Sequence, residues 1–93
     1  MLIKINFDNI KLNNIERILF RELNKGISLT RKGLRLNNTL PRTTIYDNLQ
    51  LLLDKKLVRF YSKKTGVLGR PYVYWYIPKY VSKEVRERLL KGN

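Results

Sequence analysis

The chain has 93 residues, 20 Lys and Arg against 7 Asp and Glu, a net charge of +13, and neither Cys nor His. That length makes one domain over residues 1–93 with a modest core, and the missing thiols and imidazoles remove disulfides, the usual zinc ligands and the commonest nucleophiles and bases. The seven carboxylates are scattered without a metal-ligand spacing, so no enzyme, metal or cofactor is expected.

So strong a positive field captures polyanions, which makes nucleic acid the expected partner. No stretch reaches the ~20 apolar residues of a membrane span. The start, MLIKINFDN, lacks the apolar region of a signal peptide. The expectation is a cytoplasmic, nucleoid-associated protein with no membrane partner.

Residues 1–12 form an amino-terminal arm, in which Ile3, Ile5 and Phe7 alternate with polar residues as in a short strand. Helical spacing of Ile15, Ile18, Leu19 and Leu23 then predicts a helix over 14–25. Asn13 and Glu16 fit a capping box, and Gly26 is a natural stop. Ile27–Leu29 suits a short extended piece. Thr30 caps a second helix over 31–37, with Leu34 inward and Gly33 weakening it by roughly 1 kcal/mol relative to Ala. After the turn NNTLP, Ile45, Leu49, Leu52 and Leu53 predict a third helix over 41–55. Two helices joined by a short polar turn make a helix-turn-helix.

Beyond it the period changes to two. Val58 and Phe60 alternate with Arg59 and Tyr61, SKKTGVLGR turns the chain, and Tyr72–Ile77 alternates again as the second strand of a hairpin. Val73, Trp75 and Ile77 fall on one face, Tyr72, Tyr74 and Tyr76 on the other. Trp75 is expected to close the core over the first and third helices. Ser82 caps a short C-terminal helix within 81–91, with Val81, Val85 and Leu89 as its apolar stripe. The expected fold is therefore α+β, a winged helix-turn-helix of three helices, a two-stranded β-wing and a short C-terminal helix.

In that geometry the third helix enters the major groove and the hairpin lies along the neighbouring backbone or minor groove. The face of 41–55 opposite the stripe carries Arg42, Thr43, Tyr46, Asp47 and Gln50, and Thr44 and Tyr46 are placed to donate to phosphate. Arg pairs with guanine, Gln with adenine, and Thr offers a hydroxyl and a methyl. Asp47 is discordant beside phosphate, but accepts from cytosine or orients Arg42. Lys63, Lys64 and Arg70 flank the wing turn, and Lys32 and Arg35 sit on the helix that crosses the backbone. Between residues 31 and 76 ten Lys and Arg face two Asp, a local +8.

Residues 40–78, LPRTTIYDNLQLLLDKKLVRFYSKKTGVLGRPYVYWYIP, resemble the helix-turn-helix and wing of PadR-type regulators. A small-residue turn and a Tyr open the helix, a Leu-rich stretch and a GLV-like corner follow, and a Gly-Arg-Pro turn leads into an aromatic strand. The resemblance implies DNA contacts from Arg42, Thr43, Thr44 and Tyr46 and from the wing around Lys63, Lys64 and Arg70. Two departures stand out. The corner glycine is Lys56 here, and the long C-terminal dimerisation helices are cut to about ten residues, so no effector-sensing part is expected. The minimal plan is also similar to centromere-binding partition adaptors of archaeal plasmids.

The expected partner is a palindromic DNA duplex bound by a homodimer. Leu12, Phe20, Val85 and Leu89 are the candidate dimer residues, each equally suited to the chain's own core. The implied role is a repressor meeting the transcription machinery or a partition adaptor recruiting a partition protein. The alternative is a single-stranded nucleic acid or ribosome-associated RNA binder, which shares the charge and the aromatics.

Overall fold

A computed structural model describes residues 7, 9–26, 28–30, 33–34, 39–64 and 72–91. Within them three helices and one hairpin follow in the order α1 (Asn14–Leu23), α2 (Arg42–Asp54), β1 (Arg59–Lys63), β2 (Tyr72–Tyr76) and α3 (Lys83–Leu90). Gly33 and Leu34 are also helical. The arm over 1–6 and the wing turn over 65–71 lie outside the described residues, as does most of the helix expected over 31–37.

The capping box forms as expected. Asn13 Oδ1 accepts from the Glu16 amide at 2.7 Å, and Glu16 Oε1 accepts from the Asn13 amide at 3.1 Å. Helix α1 stops at Leu23, two residues short of expectation, and Gly26 completes the exit at φ +90°, where a side chain would be strained. Its buried stripe is Glu16, Leu19, Phe20 and Leu23. A glutamate thus takes a core position that apolar spacing assigned to Ile15 and Ile18, which are only half-buried. Its carboxylate is tolerated there because Lys55 Nζ donates to Oε2 at 2.6 Å and the Asn13 amide satisfies the other oxygen.

Against this stripe α2 packs Ile45, Leu49 and Leu52, all essentially inaccessible, each worth roughly 1.5–3 kcal/mol of apolar burial. The helix ends in a Schellman motif. The Leu57 amide bonds the Leu52 carbonyl at 3.1 Å and the Lys56 amide the Leu53 carbonyl at 2.9 Å. Lys56 takes the left-handed position at φ 63°. The corner position, where the sequence departs from the expected glycine, thus holds a lysine in the left-handed region, at a steric cost of ~1–2 kcal/mol. Leu57 and Val58 are then driven fully into the core.

The strands pair antiparallel, with Phe60 opposite Trp75 and Tyr61 opposite Tyr74. Leu29 adds an isolated bridge to Trp75, exchanging both backbone bonds at 2.8 and 3.0 Å. Trp75 closes the core as expected, joined by Ile77 and Val81. The face that Val73 shares with Trp75 and Ile77 is not covered along the whole hairpin. Phe60 keeps a ring contact to Trp75 at 5.0 Å, yet is 49% exposed, and Val73 is 37% exposed. Two strands extend beyond the helices, and no described element covers their far half.

Ser82 Oγ accepts from the Val85 amide to start α3. Arg86 then holds the helix to the preceding loop through the Val81 and Pro78 carbonyls, at 2.9 and 3.0 Å. Phe7 is buried, its ring parallel to Tyr80 at 6.4 Å, and its carbonyl accepts from the Arg88 guanidinium. Leu12, Phe20 and Leu89 are also buried in this core. Of the two uses open to them, a dimer surface or the chain's own core, the packing within this chain is the second. Val85 alone of the four is only half-buried.

Candidate nucleic-acid interface

Burial of Ile45, Leu49 and Leu52 dictates what the other side of α2 presents. Thr43, Tyr46, Asp47 and Gln50 follow at i, i+3, i+4 and i+7, one continuous helical face. Thr43, Tyr46 and Asp47 are exposed there, and Gln50 is half-buried at its edge. Arg42 is exposed at the first turn, behind Pro41, which as N-cap supplies no side-chain acceptor to the first amides. A positive helix end and an arginine therefore coincide, the combination that attracts phosphate. Thr44 is half-buried, and its carbonyl accepts from Asn48 Nδ2 at 2.8 Å.

On the hairpin, Arg59, Lys63 and Lys64 are exposed. The described residues from 55 to 64 and 72 to 83 include no carboxylate, so nothing along the hairpin offsets their charge locally. Lys32, Arg35 and Arg70 lie outside the described residues. Opposite the Trp75 face, the Tyr61 and Tyr74 rings stack at 5.4 Å and 19°, and Tyr76 tilts against Tyr61 at 5.8 Å. The flat faces a single-stranded base would need are thus partly taken up by neighbouring rings. Tyr72, opposite Lys63, is 54% exposed.

Two residues of this region were missed by sequence reasoning. Leu51 lies beside Asp47 on the outward side of α2 and is 43% exposed; it falls outside the stripe of Ile45, Leu49, Leu52 and Leu53, which was the signal available. Asn48 bonds both Thr44 and Asn13, and an asparagine in mid-helix, a poor helix former, was the signal available. Among the described residues no cluster of acidic side chains suits a metal ion, and no helix is long and apolar enough to cross a membrane.

Among the described residues, three helices and a two-stranded antiparallel hairpin in this order have the winged-helix architecture. Among solved structures it matches Bacillus subtilis PadR in complex with operator DNA, with a TM-score of 0.69 at 15% identity over 87% of this chain and 49% of that one. It also matches a cysteine-to-serine mutant of Lactococcus lactis ZitR, with a TM-score of 0.69 at 14% identity over 95% of this chain and 57% of that one. The likeness is one of fold, and this chain spans about half the length of both. No family model matches the sequence, and no curated protein does.

Proposed function

We propose that this chain is a double-stranded DNA-binding protein that reads a palindromic site as a homodimer. It acts by occupying DNA, either as a PadR-like transcriptional regulator or as a centromere-binding adaptor in plasmid segregation. The observation that carries this reading is the single face of Thr43, Tyr46, Asp47 and Gln50, with Arg42 at the helix start. Such groups address base edges and phosphates from a major-groove helix. The exposed Lys63 and Lys64 supply flanking backbone contacts. A solved PadR of the same fold is bound to operator DNA, which supports the same use of the fold here. The two-fold contact is assigned to the Val85 side of α3, since the other three apolar candidates are internal. Two copies would place their α2 helices in half-sites about one helical turn apart.

The test is footprinting of DNA flanking the gene at ~150 mM salt, with Arg42→Ala and Lys64→Ala beside the wild type. The expected result is a palindromic footprint that Arg42→Ala relaxes at particular bases and Lys64→Ala weakens uniformly. One short protected operator indicates a regulator, and protection spreading outward indicates a partition adaptor. Equal or tighter binding to single strands would overturn the proposal in favour of single-strand or RNA binding.

A further inference from the structure

The apolar stripe of α2 decides which side of the helix is buried, but apolar contact is non-directional. It specifies weakly how far α2 slides along α1. Hydrogen bonds are directional, and two sets of them tie the start of α1 to separate points on α2. At one point Asn13 Nδ2 donates to Asn48 Oδ1 at 3.1 Å, and Asn48 Nδ2 passes the link to the Thr44 carbonyl. At the other, Lys55 Nζ donates to Glu16 Oε2 at 2.6 Å and to the Lys11 carbonyl at 3.1 Å. The α1 members are themselves locked to one another by the capping box. Asn48 and Lys55 stand two helical turns apart, about 10 Å. One tether would leave α2 free to pivot; two at that spacing hold both its axial position and its rotation.

The choice of asparagine at 48 points the same way. In mid-helix it competes for backbone bonds and favours other conformations, so local propensity does not explain it. Here its amide donates along α2 and its carbonyl oxygen accepts across to α1, with the outward face beginning at its neighbour Asp47. Base readout tolerates displacements of about 0.5 Å, whereas phosphate contacts orient without reporting sequence.

We infer that Asn13–Asn48 and Glu16–Lys55 form a positioning clamp that sets the register of α2 on α1, and with it the aim of Thr43, Asp47 and Gln50. The inference rests on the proposed reading of α2 as the groove-entering helix. None of the four clamp residues need touch a base; they act through the helix they hold.

Asn13→Asp isolates the cross-helix bond, because Asp caps as well as Asn but has no amide to donate. Asn48→Leu removes both bonds while keeping the volume. Both variants and the double variant are compared with wild type for affinity to the footprinted duplex and to a random-sequence duplex. Melting temperature is followed in parallel. Each single variant should lose about tenfold in the ratio of the two affinities, the worth of roughly one specific base contact. Random-duplex affinity should change by about twofold or less, because phosphate contacts dominate it. The double variant should lose no more than the worse single one, since the two residues share one link. Both affinities falling together, in step with melting temperature, would overturn the clamp. A wild type with no site preference would remove the DNA reading itself. The clamp is then decided in the free protein by the amide NMR shifts of Thr43 and Gln50, on the outward face and away from the Asn13–Asn48–Thr44 link. Those signals move in Asn13→Asp, a change outside α2, if the clamp aims the helix, and stay in place if it does not.

Discussion

Lys56 shows how one backbone angle is set by its surroundings and not by its own preference. At φ 63° it ends α2 by a pair of Schellman bonds, and Tyr80 Oη donates to its carbonyl at 2.9 Å. Replacing it by glycine removes the steric penalty of a Cβ in the left-handed region. Lys56→Gly should therefore stabilise the fold by about 1 kcal/mol, a rise of roughly 4–8 °C in melting temperature for a domain this size. Thermal unfolding followed by circular dichroism checks this, and an unchanged or lower midpoint would show that the lysine carries no such strain. Glu16 is the second informative residue. Its buried carboxylate meets both Lys55 and the Asn13 amide, so Glu16→Gln keeps an acceptor for the cap and removes the charge opposite Lys55. Urea titration should show a loss of about 1–3 kcal/mol, as expected for a charge-assisted bond in a low-dielectric site.

At the scale of the element, α2 divides its residues between two tasks, and the two should separate experimentally. Leu49 is fully buried in the core that α2 shares with α1, so Leu49→Ala should cost about 2–5 kcal/mol through lost contacts and a residual cavity. Gln50, one residue on, lies at the edge of the outward face. Gln50→Ala should change stability by about 0.5 kcal/mol or less and yet weaken binding to the footprinted duplex. Denaturant unfolding beside a binding titration reads both; a Gln50 variant that unfolds early but binds normally would contradict this division. The hairpin is divided along its length instead. Its near half, Trp75 and Ile77, belongs to the core, while Phe60, Val73 and Tyr72 remain exposed. A two-residue alternation identifies the faces of such a ribbon, but its length beyond the helices decides how much of either face is covered.

For the molecule as a whole, charge governs the binding law. With +13 on 93 residues, duplex affinity should fall steeply and linearly on a log–log plot against salt, as condensed counterions are released. Lys63→Ala should make that slope shallower by about 1 with little change in site preference, which fluorescence anisotropy across a salt series measures. A slope indifferent to Lys63 would remove it from the phosphate contacts. The same net charge opposes close approach of two copies, so dimerisation through the Val85 side of α3 should strengthen when DNA is present.

Much of the architecture was legible in the chain because it rests on local chemistry. Asn13 and Glu16 spell a capping box, Gly26 a stop, Ile45, Leu49, Leu52 and Leu53 a stripe of which only Leu53 stays half-buried, and Tyr72–Ile77 an alternating strand. Each is a short-range pattern whose period follows from helix or strand geometry. The outward residues Arg42, Thr43, Tyr46, Asp47 and Gln50 were legible for the same reason, as the complement of that stripe. What remained hidden depends on residues distant in sequence. Nothing near Glu16 shows that Lys55 will meet it, which is why a glutamate in the core went unforeseen. Nothing near Phe20, Leu12 or Leu89 shows that one core will consume all three. Nothing near Asn48 reveals Asn13, 35 positions away. Periodicity states which side of an element turns inward; only the packed fold determines what it meets there, because partner and distance are set by tertiary contact.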